Sequence, residues 1–238
     1  MPPTDGPPAE FRPAGFWPRY AAWSLDAACL LPLAALLGTG PLRRAWAQAD
    51  ASLHTLLALA AQRLDAGLTR GDPPLALALA AAGDPRLQAA AHALSTALTT
   101  LLGLPLLLYA LLSALWALGF EASRWQATPG QRALGLRVTD TADARIGGGR
   151  ALLRHLAAGL SWASLNLGHA LIALPPHLAL HDRLSATRVQ AHAGTSRLPV
   201  WARAWLWLQA LAGVFALAWL YRLLQAQMDA ALRAALGS

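Results

Sequence analysis

Three separated apolar runs, about residues 20–38, 98–120 and 200–222, leave this chain few ways to fold. A helix rises about 1.5 Å per residue, so about twenty residues cover a hydrocarbon core about 30 Å thick. A bilayer admits only segments that satisfy their own backbone, which for runs of this length means helices. Composition agrees: 56% of the 238 residues are hydrophobic and 13% charged, against roughly 25% charged in ordinary soluble proteins.

The basic residues are 19 arginines without a lysine, and the formal charge is +7. They are scattered among apolar runs instead of clustering beside stackable aromatics, so a nucleic-acid partner is not expected. The lone Cys29 excludes an internal disulfide and any zinc site built from several thiolates. Ala45-Trp46-Ala47 resembles a signal cleavage site. The Arg43-Arg44 pair before it and the length of the apolar run favour a retained anchor.

The second run closes a helix predicted to start at Asp84-Pro85, and Pro105 lies within it. The last run has Trp201, Trp205 and Trp207 at one end and Trp219 and Tyr221 at the other, matching two interfacial belts. A weaker candidate, 156–174, is diluted by Ser161, Ser164, Asn166 and His169 and flanked by arginines on both sides. It either crosses or dips in and returns. Five arginines fall within the 30 residues of the linker 121–150, against five with four aspartates over 40–97. The linker, and with it the N-terminus, is therefore predicted to be cytoplasmic.

The expected fold is all-α, a polytopic transmembrane helical protein with three clear spans and one weak or re-entrant segment. Residues 1–15 read as a flexible tail, 16–190 as the membrane domain and 191–238 as an additional C-terminal span and tail. The segment 41–83 is too polar to span and reads as a small outer helical insertion, with an amphipathic helix over 45–66 and a short helix capped at Asp72 and ended by Gly83. In the linker, Thr128-Pro129-Gly130 signals a turn, 134–138 a short strand, and 140–143 a hairpin-like return. Gly147-Gly148-Gly149 opens the next helix without the Lys-Ser/Thr of a nucleotide loop.

Asp26, inside the first run, requires a partner, a proton or an ion. An acid at mid-bilayer costs about 2.5–3.5 kcal/mol, which the surrounding leucines, at about 0.3–0.6 kcal/mol each, roughly offset. It reads as an exchangeable carboxylate or as a structural hydrogen bond. Arg19, seven residues earlier, shares its helix face and either pairs with an acid or snorkels to lipid phosphate. His177 and His181 are four apart, a spacing a metal can use, but no third ligand is near and no metal is expected.

Phe16-Trp17-Pro18-Arg19-Tyr20 leading to Asp26, then Thr128-Pro129-Gly130-Gln131-Arg132-Ala133-Leu134-Gly135-Leu136-Arg137-Val138, then His181-Asp182-Arg183-Leu184-Ser185-Ala186-Thr187-Arg188-Val189, resembles the RDD family of bacterial membrane proteins. That family is named for one arginine and two aspartates. The resemblance implies Arg19, Asp26 and Asp182 as signature residues, a bacterial cytoplasmic membrane location and a transport-like role. The long segment between the first two runs and the Trp-rich final run depart from the pattern. The expected function is movement of a small ion or proton-coupled solute without a cofactor, with Asp26 exchangeable, Arg19 setting its charge and Asp182 at the cytoplasmic mouth. The alternative is a non-transporting scaffold or assembly factor whose polar residues fix helix packing. No nucleophile and base pair can be assembled, so an enzyme is not expected. The partners foreseen are lipid, another copy of the chain or another membrane protein, and a small ion as ligand.

Overall fold

The computed structural model describes residues 11–164, 167–174, 177–192 and 198–236. They form two compact units, one comprising the described residues up to Asp26 together with those from Ala117 on, the other Ala27–Trp116. Three helices are long and apolar enough to cross a membrane: α1 (Phe16–Arg70), α3 (Pro85–Glu121) and the part of α8 (Val200–Leu236) up to Ala226. None of the most apolar stretch of α3 or α8 is buried within the chain. Leu102, Leu106 and Leu115 of α3 and Trp207, Phe215 and Leu217 of α8 are all exposed, as a lipid-facing surface would be.

Helix α1 runs without interruption from the first apolar run into the segment read as an outer insertion, 41–83. Its 55 residues include Pro32 and Pro41, and the predicted amphipathic helix 45–66 is its distal part. The expected separation of first span and insertion is thus corrected. Helix α2 (Pro74–Ala82) follows and Gly83 ends it, but no side chain caps its start. Asp72 instead pairs with Arg70 at 2.9 Å. Asp84 does cap α3, accepting the Arg86 amide at 2.8 Å and binding Arg63 Nη2 at 2.5 Å.

The other unit contains an antiparallel three-stranded sheet of order β1-β3-β2, absent from the sequence-based expectation. Strand β1 (Phe11–Pro13) pairs along β3 (Thr187–His192), and β2 (Leu136–Asp140) pairs on its other side with Val138 opposite Val189. The predicted tail therefore supplies an edge strand from its last residues, while 1–10 lie outside the described residues. The hairpin-like return is present: the Asp140 amide donates to the Ala144 carbonyl at 3.0 Å, and Thr139 bridges Arg145. Thr128-Pro129-Gly130 is a helix start and not a turn. Thr128 caps α4 (Pro129–Ala133) in a reciprocal box with Gln131, which satisfies two otherwise orphaned amides.

The core under the sheet joins Ala14, Ala21, Ala22, Leu136, Val138, Ile146, Val189 and Ala202. Small residues on α1 let the sheet approach its first turns closely. Helix α5 (Gly148–Ala163), opened by the glycines, ends within the weak segment 156–174, and α6 (Leu167–Ala170) and a 3-10 turn over Leu171–Ala173 follow. At about 1.5 Å per residue the 16 residues of α5 reach about 24 Å, so no single helix fills that segment. Helix α7 (Leu180–Leu184) then leads into β3. The added helix α8 packs on α1 through Ser24, which accepts from Trp205 Nε1 at 3.0 Å and Gln209 Nε2 at 3.1 Å.

Candidate functional site

Arg19 lies one turn into α1, where the chain has just left the sheet, and this position sets its reach. Its Nε donates to the Ala14 carbonyl at 2.9 Å, Nη1 to Asp182 Oδ2 at 2.5 Å, and Nη2 to the His177 and Val189 carbonyls at 2.9 and 3.4 Å. The side chains are 9% and 0% exposed, so this is a buried ion pair. Lipid snorkelling is therefore not the arrangement adopted, and the acid that Arg19 binds is Asp182.

Asp182 sits in the first turn of α7 and accepts the Ala179 amide at 2.9 Å, fixing that helix start. Its other oxygen binds Arg154 Nη1 of α5, which also donates to Thr187 Oγ1 at 3.1 Å. Burial alone would raise this carboxyl, but the Arg154 and Arg19 guanidiniums win and hold it well below the usual carboxylate range. The Nε of Arg154 lies 3.4 Å from Glu121 Oε2. Glu121 closes α3, and its Oε1 accepts from Gln131 Nε2 at 3.0 Å.

Gln131 carries the chain of contacts on to the first aspartate. Its Oε1 accepts the Thr128 amide at 2.8 Å, and Thr128 Oγ1 donates to Asp26 Oδ2 at 2.5 Å. Asp26 Oδ1 accepts the Gly130 amide at 2.8 Å. These partners belong to the polar linker. Arg19, Asp26 and Asp182 thus fall into one network, though not as the direct Arg19–Asp26 relation foreseen. Thr128, Gln131, Glu121 and Arg154 connect them. The sequence reading placed none of the four at a site. Two signals were available: a Thr-x-x-Gln capping box, and an acid directly behind an apolar run.

His181 is buried beside this network. Its Nε2 lies 3.6 Å from Asp182 Oδ1 and its Nδ1 has no hydrogen-bond partner. Its ring is 5.1 Å from that of His169. His177 has φ of 63° and precedes α7, so it does not share a helical face with His181. Among the described residues, no three His, Cys, Asp or Glu side chains converge where a metal could bind.

Burial, then the Arg154 charge, push His181 well below its ordinary value, about 6.5. The unfolded chain therefore takes up a proton there that the folded chain does not. This contribution to stability is full above about pH 6.5 and falls as pH drops through it, by up to about 1.4 kcal/mol per pH unit. In detergent, the wild-type unfolding midpoint should fall relative to His181→Gln between about pH 7 and about pH 5. Parallel midpoints would refute a neutral buried imidazole.

A sequence model of the RDD family matches residues 13–186, a range that holds Arg19, Asp26 and Asp182. Neither a curated protein nor a solved structure matches the chain.

Proposed function

The chain belongs to the RDD family, and from that premise we propose that it moves a small ion or a proton-coupled solute across the bacterial cytoplasmic membrane, with cation/proton exchange as the specific form. One observation carries this reading. Among the described residues, the connected cluster joins three carboxylates, Asp26, Glu121 and Asp182, with the guanidiniums of Arg19 and Arg154. Removing charge from water is costly unless it is compensated. One proton or one monovalent cation balances this cluster, and exchange of one for the other is the elementary step of an antiporter. The arginine density of the linker supports a cytoplasmic side for the cluster and the N-terminus. Lipid, or a second copy of the chain or another membrane protein, covers the exposed apolar faces of α3 and α8.

A second reading, a non-transporting scaffold or assembly factor, is favoured by one detail. Both oxygens of Asp26 are engaged at the start of α4, as a purely architectural group would be. The two readings separate in inverted membrane vesicles holding a preformed pH gradient. Adding Na⁺, K⁺ or Li⁺ should dissipate the gradient with wild-type protein and leave it intact with Asp26→Asn at matched abundance, because the amide keeps the shape without the carboxylate. Gradients no faster to collapse than in vesicles lacking the protein would defeat the antiport form. Equal flux in wild type and variant would detach Asp26 from it.

A further inference from the structure

The charge imbalance leaves open which group takes the counter-charge, and the three acids differ sharply in what their oxygens touch. Asp182 is met by two guanidiniums and a backbone amide. Asp26 has a hydroxyl donor on one oxygen and an amide on the other. Glu121 differs. Its side chain is 6% exposed, Oε1 takes the Gln131 amide, and Oε2 is buried without a hydrogen-bond partner. The nearest cation, Arg154 Nε, lies 3.4 Å away, beyond the roughly 2.7–2.9 Å of a charge-assisted bond. The same guanidinium is committed through Nη1 to Asp182 and Thr187.

A buried carboxylate oxygen without a donor is costly, and more so when charged than when neutral. From this we propose that Glu121 is the proton-binding group of the cluster, carrying an exchangeable proton on Oε2. The charged and titratable groups that face it are Arg154 from α5, Asp182 from α7 and Asp26 from α1, with the neutral Gln131 amide from α4. When the proton leaves, Oε2 carries a negative charge, and Arg154 Nε, 3.4 Å away, is the nearest guanidinium nitrogen among the described residues. A deprotonated Glu121 then competes with Asp182 for Arg154. A monovalent cation arriving at Oε2 relieves that competition, which links proton release to cation uptake. This step rests on the exchange reading above, whereas the protonation of Glu121 does not.

The sequence makes the assignment tractable, because its only glutamates are Glu10 and Glu121. The full chain, reconstituted in lipid nanodiscs, is labelled with ¹³C on the glutamate side-chain carboxyl. Infrared spectra at neutral pH should show the carbonyl stretch of a protonated carboxylic acid. That band should shift on glutamate labelling, stay unmoved on aspartate labelling and vanish in Glu121→Gln. Should Glu121→Gln fail to fold, the label shift in wild type still decides between residue types, and Glu121→Asp should hand the shift to the aspartate label. A band that moves only with labelled aspartate overturns the proposal and places the proton on an aspartate. The absence of a protonated carboxyl band in wild type overturns it as well. Vesicles without cation-dependent flux, from protein that shows the glutamate band, would defeat the exchange reading and leave Glu121 as the protonated group.

Discussion

Asp182→Ala should cost the folded chain about 3–5 kcal/mol, the magnitude found when one partner of a buried ion pair is removed and the other charge is stranded. Here Arg19 loses its carboxylate, Arg154 keeps only Glu121 at 3.4 Å, and the α7 start loses the acceptor for the Ala179 amide. Asp182 is fully buried, so solvent cannot take its place. The thermal midpoint in detergent should fall steeply, with loss of the monodisperse species. Asp182→Asn, which retains an acceptor for the amide, should lose less. A midpoint displaced by less than about 1 kcal/mol, the scale of an exposed pair, would mean that the two arginines are solvated.

Gly130→Ala should be at least as damaging, for a reason of shape. A Cβ at this position would overlap the backbone carbonyl of Ala22 and come within 2.9 Å of the Asp26 carboxyl. A helix carbonyl cannot swing aside as a side-chain tip can. The start of α4 must therefore lift from α1, at an overpacking cost of about 1–3 kcal/mol. Lifting also breaks the Thr128 and Gly130 bonds to Asp26, and hydrogen bonds to a charged acceptor are worth about 1.5–3 kcal/mol each. Gly149→Ala is the matched control, since nothing lies within 4 Å of its added methyl. If the two alanine variants melt together, the close approach of α4 to α1 is wrong.

What could be read in advance followed the range of the interaction. The spans were legible because hydrocarbon thickness acts on contiguous residues, and the start of α3 because Asp84-Pro85 is a local signal. The strand expected over 134–138 and found two residues later, at Leu136–Asp140, and its return through Asp140 were also local. Its main partner, β3, lies about fifty residues away, and that pairing leaves no local trace in Thr187–His192. The unbroken α1 was missed because Gly38, Gly40 and Pro41 mimic a stop, yet the helix tolerates them. Arg19, Asp26 and Asp182 were singled out in the sequence, with Arg19 expected to act on Asp26. Which acid it meets depends on α7 docking beside α1, a tertiary fact. Glu121 and Arg154 were hidden for the same reason, each looking like an ordinary charge at a helix end or on a helix face.

The span of 163 residues between Arg19 and Asp182 also sets a timetable for biogenesis. At about 5–20 residues per second, roughly 8–30 s of synthesis separate the two. During that interval α1 and α3 are already made, while Arg19 awaits its carboxylate and β1 awaits β3. The cluster closes only when the chain has emerged past Thr187, so a product truncated earlier carries stranded charge at the edge of its first helix. Completion of the cluster thus reports that the whole family domain, residues 13–186, has been made.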